Sequence, residues 1–270
     1  MTTVPTLSHE IRRTILDESM RAGVGHIGSA LSIADILAVL HGGVLRGTGP
    51  DDPDRDRFVL SKGHAALALY AALAATGRLD RGALASYCAD GSLLGAHPEH
   101  ALAGVDFSTG SLGQGLSLAT GAALAARRQG SSRRVFALLS DAEQNEGSIW
   151  EAALLAAHHA LANLVAIVDV NGQQALGYTR DVLEPGPPRA RWEAFGWDVH
   201  VVDGHDVAAL TATLERLETT SGPPHVLLAE TTFGKGVSFM ESRIEWHYLP
   251  LTPELHRQAL DELDAAARAA

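Results

Sequence analysis

LLSDAEQNEGSIWEAALLAAHHALANLVAIVDVNGQQ occupies residues 138–174, and its reading decides the fold. A short apolar run, 133–140, precedes a stretch of helical spacing, 147–161, and a second apolar run, 164–170, follows it. The second run, LVAIVDV, is β-branched, as buried strands are. Strand, helix and strand over this length make one βαβ unit, about 30 residues long. Each strand stops on a polar residue, Asp141 after the first and Asn171 after the second. A right-handed crossover sets two such strands side by side and pointing the same way. Both polar residues then project from one edge of the sheet, beyond the carboxyl ends where parallel α/β sheets bind ligands. A carboxylate and an amide oxygen are hard donors. They suit Mg²⁺ or Ca²⁺, with phosphate oxygens and water completing the shell, and the backbone carbonyl of Gln173 can add one more oxygen. The same residues also suit turn chemistry, with Asp141 capping the next helix and Asn171 turning with Gly172. Spacing alone leaves both open.

Outward from this unit the alternation continues. DVHVVDG (198–204) and HVLLAETT (225–232) read as further strands, with a helix at about 206–218 between them. Residues 8–22, 30–42, 63–76, 113–128 and 253–270 read as helices. The expected fold is α/β, a mostly parallel sheet with helices on both faces, in one domain spanning 1–270. PGPPR (185–189) marks a surface loop, and 234–253 reads as an irregular lid. The chain has 270 residues, 46% hydrophobic and 20% charged, enough to bury a sizeable core. A net charge of −11 argues against nonspecific nucleic-acid binding, which needs a basic footprint. It does not exclude phosphorylated ligands, which a cation or clustered N–H donors can hold. The single cysteine, Cys88, allows neither an internal disulfide nor a cysteine metal cluster. No apolar run reaches membrane-spanning length and the first residues lack a secretory pattern, so the expectation is cytoplasmic.

Eight words occur in a fixed order: GHIGS (25–29), SKGH (61–64), GAHPE (95–99), STGSLGQG (108–115), NEGSIWEA (145–152), VDVNG (168–172), VDGHD (202–206) and ETTFGKGVSFME (230–241). In this order they resemble transketolases, across nearly the whole chain. The part matched looks like the amino-terminal domain that holds the diphosphate of thiamine diphosphate. The pyrimidine-binding and carboxy-terminal domains of that family are absent, as in the small subunit of a split transketolase. The resemblance implies that Asp141, Asn171 and the Gln173 carbonyl coordinate Mg²⁺ (or Ca²⁺). It implies that His64 contacts the diphosphate, and that Gly110, Ser111 and Leu112 approach the aminopyrimidine ring. Ala142, Glu143, Asn171 and His247 join the cofactor contacts. His26 and His97 match histidines that face the reacting carbon and the substrate hydroxyls. Glu146 and Glu151 match a carboxylate network between two active sites, although acids at a helix start also follow from the helix dipole.

The family's chemistry needs a thiazolium ylid, driven by a glutamate on the pyrimidine-binding domain. No segment of this chain supplies that glutamate, so the resemblance implies a partner subunit. Two such chains with two partners is the expected hetero-oligomer, and a homodimer through the Glu146 helix is open to the isolated chain. The sequence also departs from the family. Ser140 and Ala142 replace the glycines that flank the motif's Asp, and each adds a Cβ near the phosphate. Val170 stands where an acid is common, which leaves Asp169 as the only acid just before Asn171. GSLGQG replaces Gly-Pro-Leu-Gly-Gln-Gly. Only Arg243 offers itself for a sugar's terminal phosphate. The expected function is transfer of a two-carbon ketol unit from a ketose, with or without a phosphate, to an aldehyde or other acceptor. The alternatives are a specialised thiamine-diphosphate enzyme, with another donor or a carrier-bound acceptor, and a degenerate scaffold subunit that has lost the cofactor.

Overall fold

The computed structural model of the protein describes residues 3–47, 49, 51–183 and 185–269. The chain runs through α1 (Val4–Ala22), α2 (Ile27–Ser32), α3 (Ala34–Val39), β1 (Arg57–Leu60), α4 (Ala66–Ala75), α5 (Gln114–Arg128), β2 (Val135–Ser140), α6 (Gly147–His158) and β3 (Leu164–Val170). It continues through β4 (Gln173–Gln174), β5 (Gly177–Tyr178), α7 (Thr179–Val182), α8 (Pro188–Ala194), β6 (Asp198–Asp203), α9 (Val207–Arg216), β7 (His225–Glu230) and α10 (Pro253–Ala269). Five strands form one sheet in the order β1-β2-β3-β7-β6, and every neighbouring pair is parallel. β4 and β5 form a separate two-stranded ribbon just past β3.

Strand alternation divides the apolar side chains between two cores. Phe58, Leu60, Phe136, Leu138, Val165, Ile167 and Leu227 face the first, under α1 to α4, α9 and α10. Val59, Val135, Ala137, Leu139, Ala166, Val168 and Leu228 face the second, against α5, α6 and α8. Both faces are therefore covered, which is why the strands read as continuous apolar runs. Trp150, Trp192 and Trp197 close the second core, with ring centroids 5.2 and 4.8 Å apart along the row. The expected α/β architecture with helices on both faces is the one observed.

The differences are local. α1 begins at Val4 because Thr3 caps it and a proline is tolerated in a first turn. The single helix read at 30–42 is two short helices and a π-turn at Leu40–Val44, with Ile33 off helical geometry between the helices. β1 escaped the reading because four residues make too short a pattern. The loop at PGPPR ends early, since Pro188 opens α8. Residue 270, read as the end of the last helix, lies outside the described residues.

The segment after β7 is not a loose lid. Phe233, Val237, Met240 and Trp246 are buried, and a 3₁₀ turn forms at Ile244–His247. The strap is drawn onto the start of α2 by two backbone bonds. Gly234 N–H donates to Gly28 O at 3.0 Å, and His26 N–H donates to His247 O at 3.1 Å. Gly28 permits the approach, because a Cβ there would lie 2.0 Å from Cε1 of Phe233. Gly28→Ala is therefore expected to cost about 1–3 kcal/mol by overpacking. Urea unfolding checks it, and Phe233→Leu in the same chain should recover part of the loss.

Candidate cofactor-binding site

The ends of β2 and β3 set the frame. Ser140 pairs with Asp169 across the sheet, and Asp141 N–H donates to Asp169 O at 3.2 Å. The Asp141 carboxylate accepts from Ala142 N–H at 2.8 Å and from Gly172 N–H at 2.7 Å. Asn171 Oδ1 accepts from Gln173 N–H at 3.0 Å. Both residues thus perform the turn-making work the sequence allowed. Each oxygen still has a lone pair for a further partner. Asp141 is only 6% exposed. Burial first, and then the charge of Asp169, push its carboxyl up to about 7, against the pull of the Gly172 and Ala142 N–H groups and of Lys62. A carboxylate so placed lacks positive charge, and a bound cation would supply it.

Beneath this edge lies an ion pair that is fully buried. Lys62, just past β1, and Asp169, near the end of β3, are both 0% exposed, with Nζ 2.5 Å from Oδ2. Lys62 also donates to Ser29 O at 3.1 Å. Asp169 accepts further bonds from Ser32 Oγ (2.8 Å), Asn171 Nδ2 (2.8 Å) and Thr231 Oγ1 (2.5 Å). Burial raises the Asp169 pKa, but the Lys62 ammonium and the hydroxyl donors outweigh it and hold the acid ionised. Because Asn171 Nδ2 is committed to Asp169, its Oδ1 is turned toward Gln173 and the sheet edge.

A cavity of about 220 Å³ opens at this edge, lined by His26, His64, His97, Gly110, Leu112, Ser140, Ala142, Asn171, Gln173 and His247 among others. His26 heads α2 at φ 61°, a left-handed conformation that costs a non-glycine residue about 1–3 kcal/mol. His64 Nε2 is 2.8 Å from Ser29 Oγ. His247 stacks on Phe233, centroids 4.4 Å apart. Burial first, with neighbouring His97 and Lys62, lowers the pKa of His26. Burial first, with Lys62 and His26, takes His64 well below the usual value. Burial brings His247 down to about 4. These imidazoles are neutral at pH 7, able to donate and accept toward hydroxyls. Gly63 and Gly110 cross closely beside them, where a Cβ on Gly63 would meet Gly110 N at 2.9 Å.

Several polar atoms in these walls are buried without partners: His26 Nδ1, His247 Nδ1, both amide atoms of Gln173, and Gln174 Nε2. Buried polar groups are normally bonded, so these point to a polar ligand. A larger cavity of about 390 Å³ lies at the start of β1. There Arg46 pairs with Asp56, Arg55 with Asp106, and Arg78 bonds His41, whereas the smaller cavity holds the unpartnered polar atoms and is the better site.

Asp141, between the lining residues Ser140 and Ala142, is not itself in the lining, and other expected residues lie outside it as well. Ser111 is exposed. Glu143 is buried, and its carboxylate faces inward, accepting from Ser61 Oγ, Gly113 N–H (2.7 Å) and Ser140 N–H (3.3 Å). It clamps the loop before α5 to the end of β2. Glu146 and Glu151 are exposed at the start of α6 and outside the cavity. Arg243 is exposed as well. Ser140, whose Cβ put the site in doubt, turns its hydroxyl to Glu143 N–H at 3.1 Å. The sequence reading missed Lys62, Ser29, Ser32 and Gln174. SKGH carried the only signal for Lys62, a lysine in an otherwise apolar approach.

A family model described as "Transketolase, thiamine diphosphate binding domain" matches residues 5–263. The chain belongs to the transketolase family. It is 43% identical over 258 residues to one subunit of the apulose-4-phosphate transketolase of Actinobacillus succinogenes, covering 94% of this chain and 93% of that one. It is 39% identical over 257 residues to a 6-deoxy-6-sulfo-D-fructose transketolase subunit of a Clostridium species, covering 94% of each. The crystal structure of Campylobacter jejuni transketolase matches with a TM-score of 0.88 and 31% identity. That match covers 97% of this chain but 43% of the other, so this transketolase-family chain spans less than half of that protein.

The buried pair makes a direct prediction. Lys62→Met strands a buried carboxylate and should cost about 3–5 kcal/mol in urea unfolding. Adding Asp169→Asn should recover part of that loss, so the double-mutant cycle shows a coupling well outside additivity.

Proposed function

We propose that the chain is the diphosphate-binding subunit of a split transketolase, which with a partner chain transfers a two-carbon ketol unit. The observation that carries this is the meeting of Asn171 and Gln173 with four histidines around one cavity, with the Asp141 carboxylate just behind its wall, accepting from Gly172 N–H. Asp141, Asn171 Oδ1 and the Gln173 carbonyl would hold Mg²⁺ or Ca²⁺, an all-oxygen set suited to hard cations. His64, His247, Ala142 and the Gly110–Leu112 backbone would hold the cofactor. When bound, thiamine diphosphate supplies the thiazolium carbon that takes up and releases the two-carbon unit. His26, kept neutral by burial, and His97 would bond donor hydroxyls and hold the ketol in register, a positioning role. Glu143 acts at one remove, fixing Ser140 and Gly113.

A partner is supported by the surface. Leu176, 85% exposed, and the exposed Tyr248 directly follow the cavity-lining residues Ala175 and His247. Leu118, Leu154 and Leu155 are exposed on the packed pair α5 and α6, near Glu146 and Glu151. Exposed apolar side chains of this kind suit contact with another chain. That chain would bring the pyrimidine-binding and carboxy-terminal domains, in a two-plus-two assembly. Relatives named for apulose-4-phosphate and 6-deoxy-6-sulfo-D-fructose support a specialised ketose donor over a general one. The scaffold reading rests only on Ser140 and Ala142.

Calorimetric titration of thiamine diphosphate with Mg²⁺ tests the proposal, using the chain alone, mixed with its partner, and as Asp141→Ala. Tight binding in the mixture and its loss in the variant are expected. Absence of binding in every mixture of folded chains would contradict it and leave the scaffold reading standing.

A further inference from the structure

At the opposite end of the sheet, three side chains meet that the cofactor site does not use. Asp198 opens β6 and His225 opens β7, paired directly across the two strands. His200 follows two residues along the edge strand. Asp198 Oδ2 lies 3.2 Å from His200 Nε2 and 3.3 Å from His225 Nδ1. One ligand atom from each of the three residues lies within 4.8 Å of the others.

The tautomer of His225 makes this grouping informative. Its Nε2 is 2.7 Å from Glu218 O, a carbonyl that can only accept, so Nε2 carries the proton. In the neutral ring, Nδ1 then presents a lone pair to the Asp198 carboxylate. The His225 side chain is 5% exposed, and its Nδ1 is buried without a hydrogen-bond partner. His200 Nε2 is likewise buried without one. Two imidazole nitrogens thus converge on one carboxylate oxygen with nothing between. A lone pair facing an anion is unfavourable unless a proton or a cation lies between them. Of the surrounding charges, Arg216 opposes a cation here and Glu218 favours one.

We propose that Asp198, His200 and His225 bind a divalent transition metal, with Zn²⁺ as the best fit. Two nitrogens and one oxygen select zinc-like ions over Mg²⁺ or Ca²⁺. Ligands about 2.1 Å from a tetrahedral zinc lie about 3.4 Å from one another, close to the 3.2 and 3.3 Å separations here. The bond from His225 Nε2 to Glu218 O is the outer partner such ligands require, since it fixes the ring and its tautomer. Asp198 is half-exposed and leaves an entry path and a fourth position for water. The metal would fasten the edge strand β6 to β7 and to the turn at Glu218, far from the catalytic end. It would be a structural clamp, independent of the proposed activity.

Equilibrium dialysis of the full chain against Zn²⁺, after chelator treatment, tests this. The companion variants are His200→Ala, Asp198→Asn and Asp141→Ala, each checked for folding by circular dichroism. The wild type and Asp141→Ala should each bind one equivalent. The His200 and Asp198 variants should bind it at least about tenfold more weakly, since losing even an outer-shell partner has that effect. Co²⁺ substituted into the wild type should give the ligand-field absorption of a four-coordinate site, and His200→Ala should lose it. Failure of the folded wild type to take up zinc would overturn the proposal. So would uptake that His200→Ala leaves unchanged or that Asp141→Ala abolishes.

Discussion

The buried pair of Lys62 and Asp169 is the constraint on which the catalytic end of this molecule depends. Removing two charges from water costs several kcal/mol per ion, and one contact does not offset that. Here the cost is spread over Ser29, Ser32, Asn171 and Thr231, each supplying a bond to one partner or the other. The pair consequently joins the end of β1, the end of β3, helix α2 and the residue after β7. All the segments that carry cavity residues from these elements are referred to one buried point. It also decides the orientation of Asn171, by taking its amide N–H and leaving the carbonyl oxygen at the sheet edge.

Above this foundation the site is built from groups that are charged only where a partner stands ready. His26, His64 and His247 are kept neutral by burial. Asp141 is under-neutralised where it stands. Net charge is −11, so an anionic ligand meets a repelling surface unless a cation accompanies it. An anionic ligand such as a diphosphate would therefore bind this edge best together with a cation.

Much of this was legible in the sequence, for physical reasons. Continuous β-branched runs ending in Asp141 and Asn171 follow from a sheet covered on both faces and open at its carboxyl end. The order of the glycine- and histidine-bearing words located the cavity wall. What stayed hidden was tertiary. Nothing local shows that Lys62 is buried, because a lysine beside a strand usually reaches water. The inward turn of Glu143 depends on Ser61 and Gly113, distant in sequence. The segment 234–253 looked loose because its glycines read as flexibility, whereas a Cβ on Gly234 would lie 2.6 Å from Met240 O and one on Gly236 2.8 Å from Leu263 Cδ2, so they make room for close packing. β1 was too short to announce itself, yet it delivers Lys62.

The central claim is that this sheet edge is a cation site built for a diphosphate. Its most direct test is an anomalous difference map from crystals of the assembled enzyme grown with Mn²⁺ and thiamine diphosphate. The account predicts one strong peak bonded to the Asp141 carboxylate, Asn171 Oδ1 and the Gln173 carbonyl. Ordered cofactor with no metal peak at Asp141, or with the metal held by other residues, would contradict it.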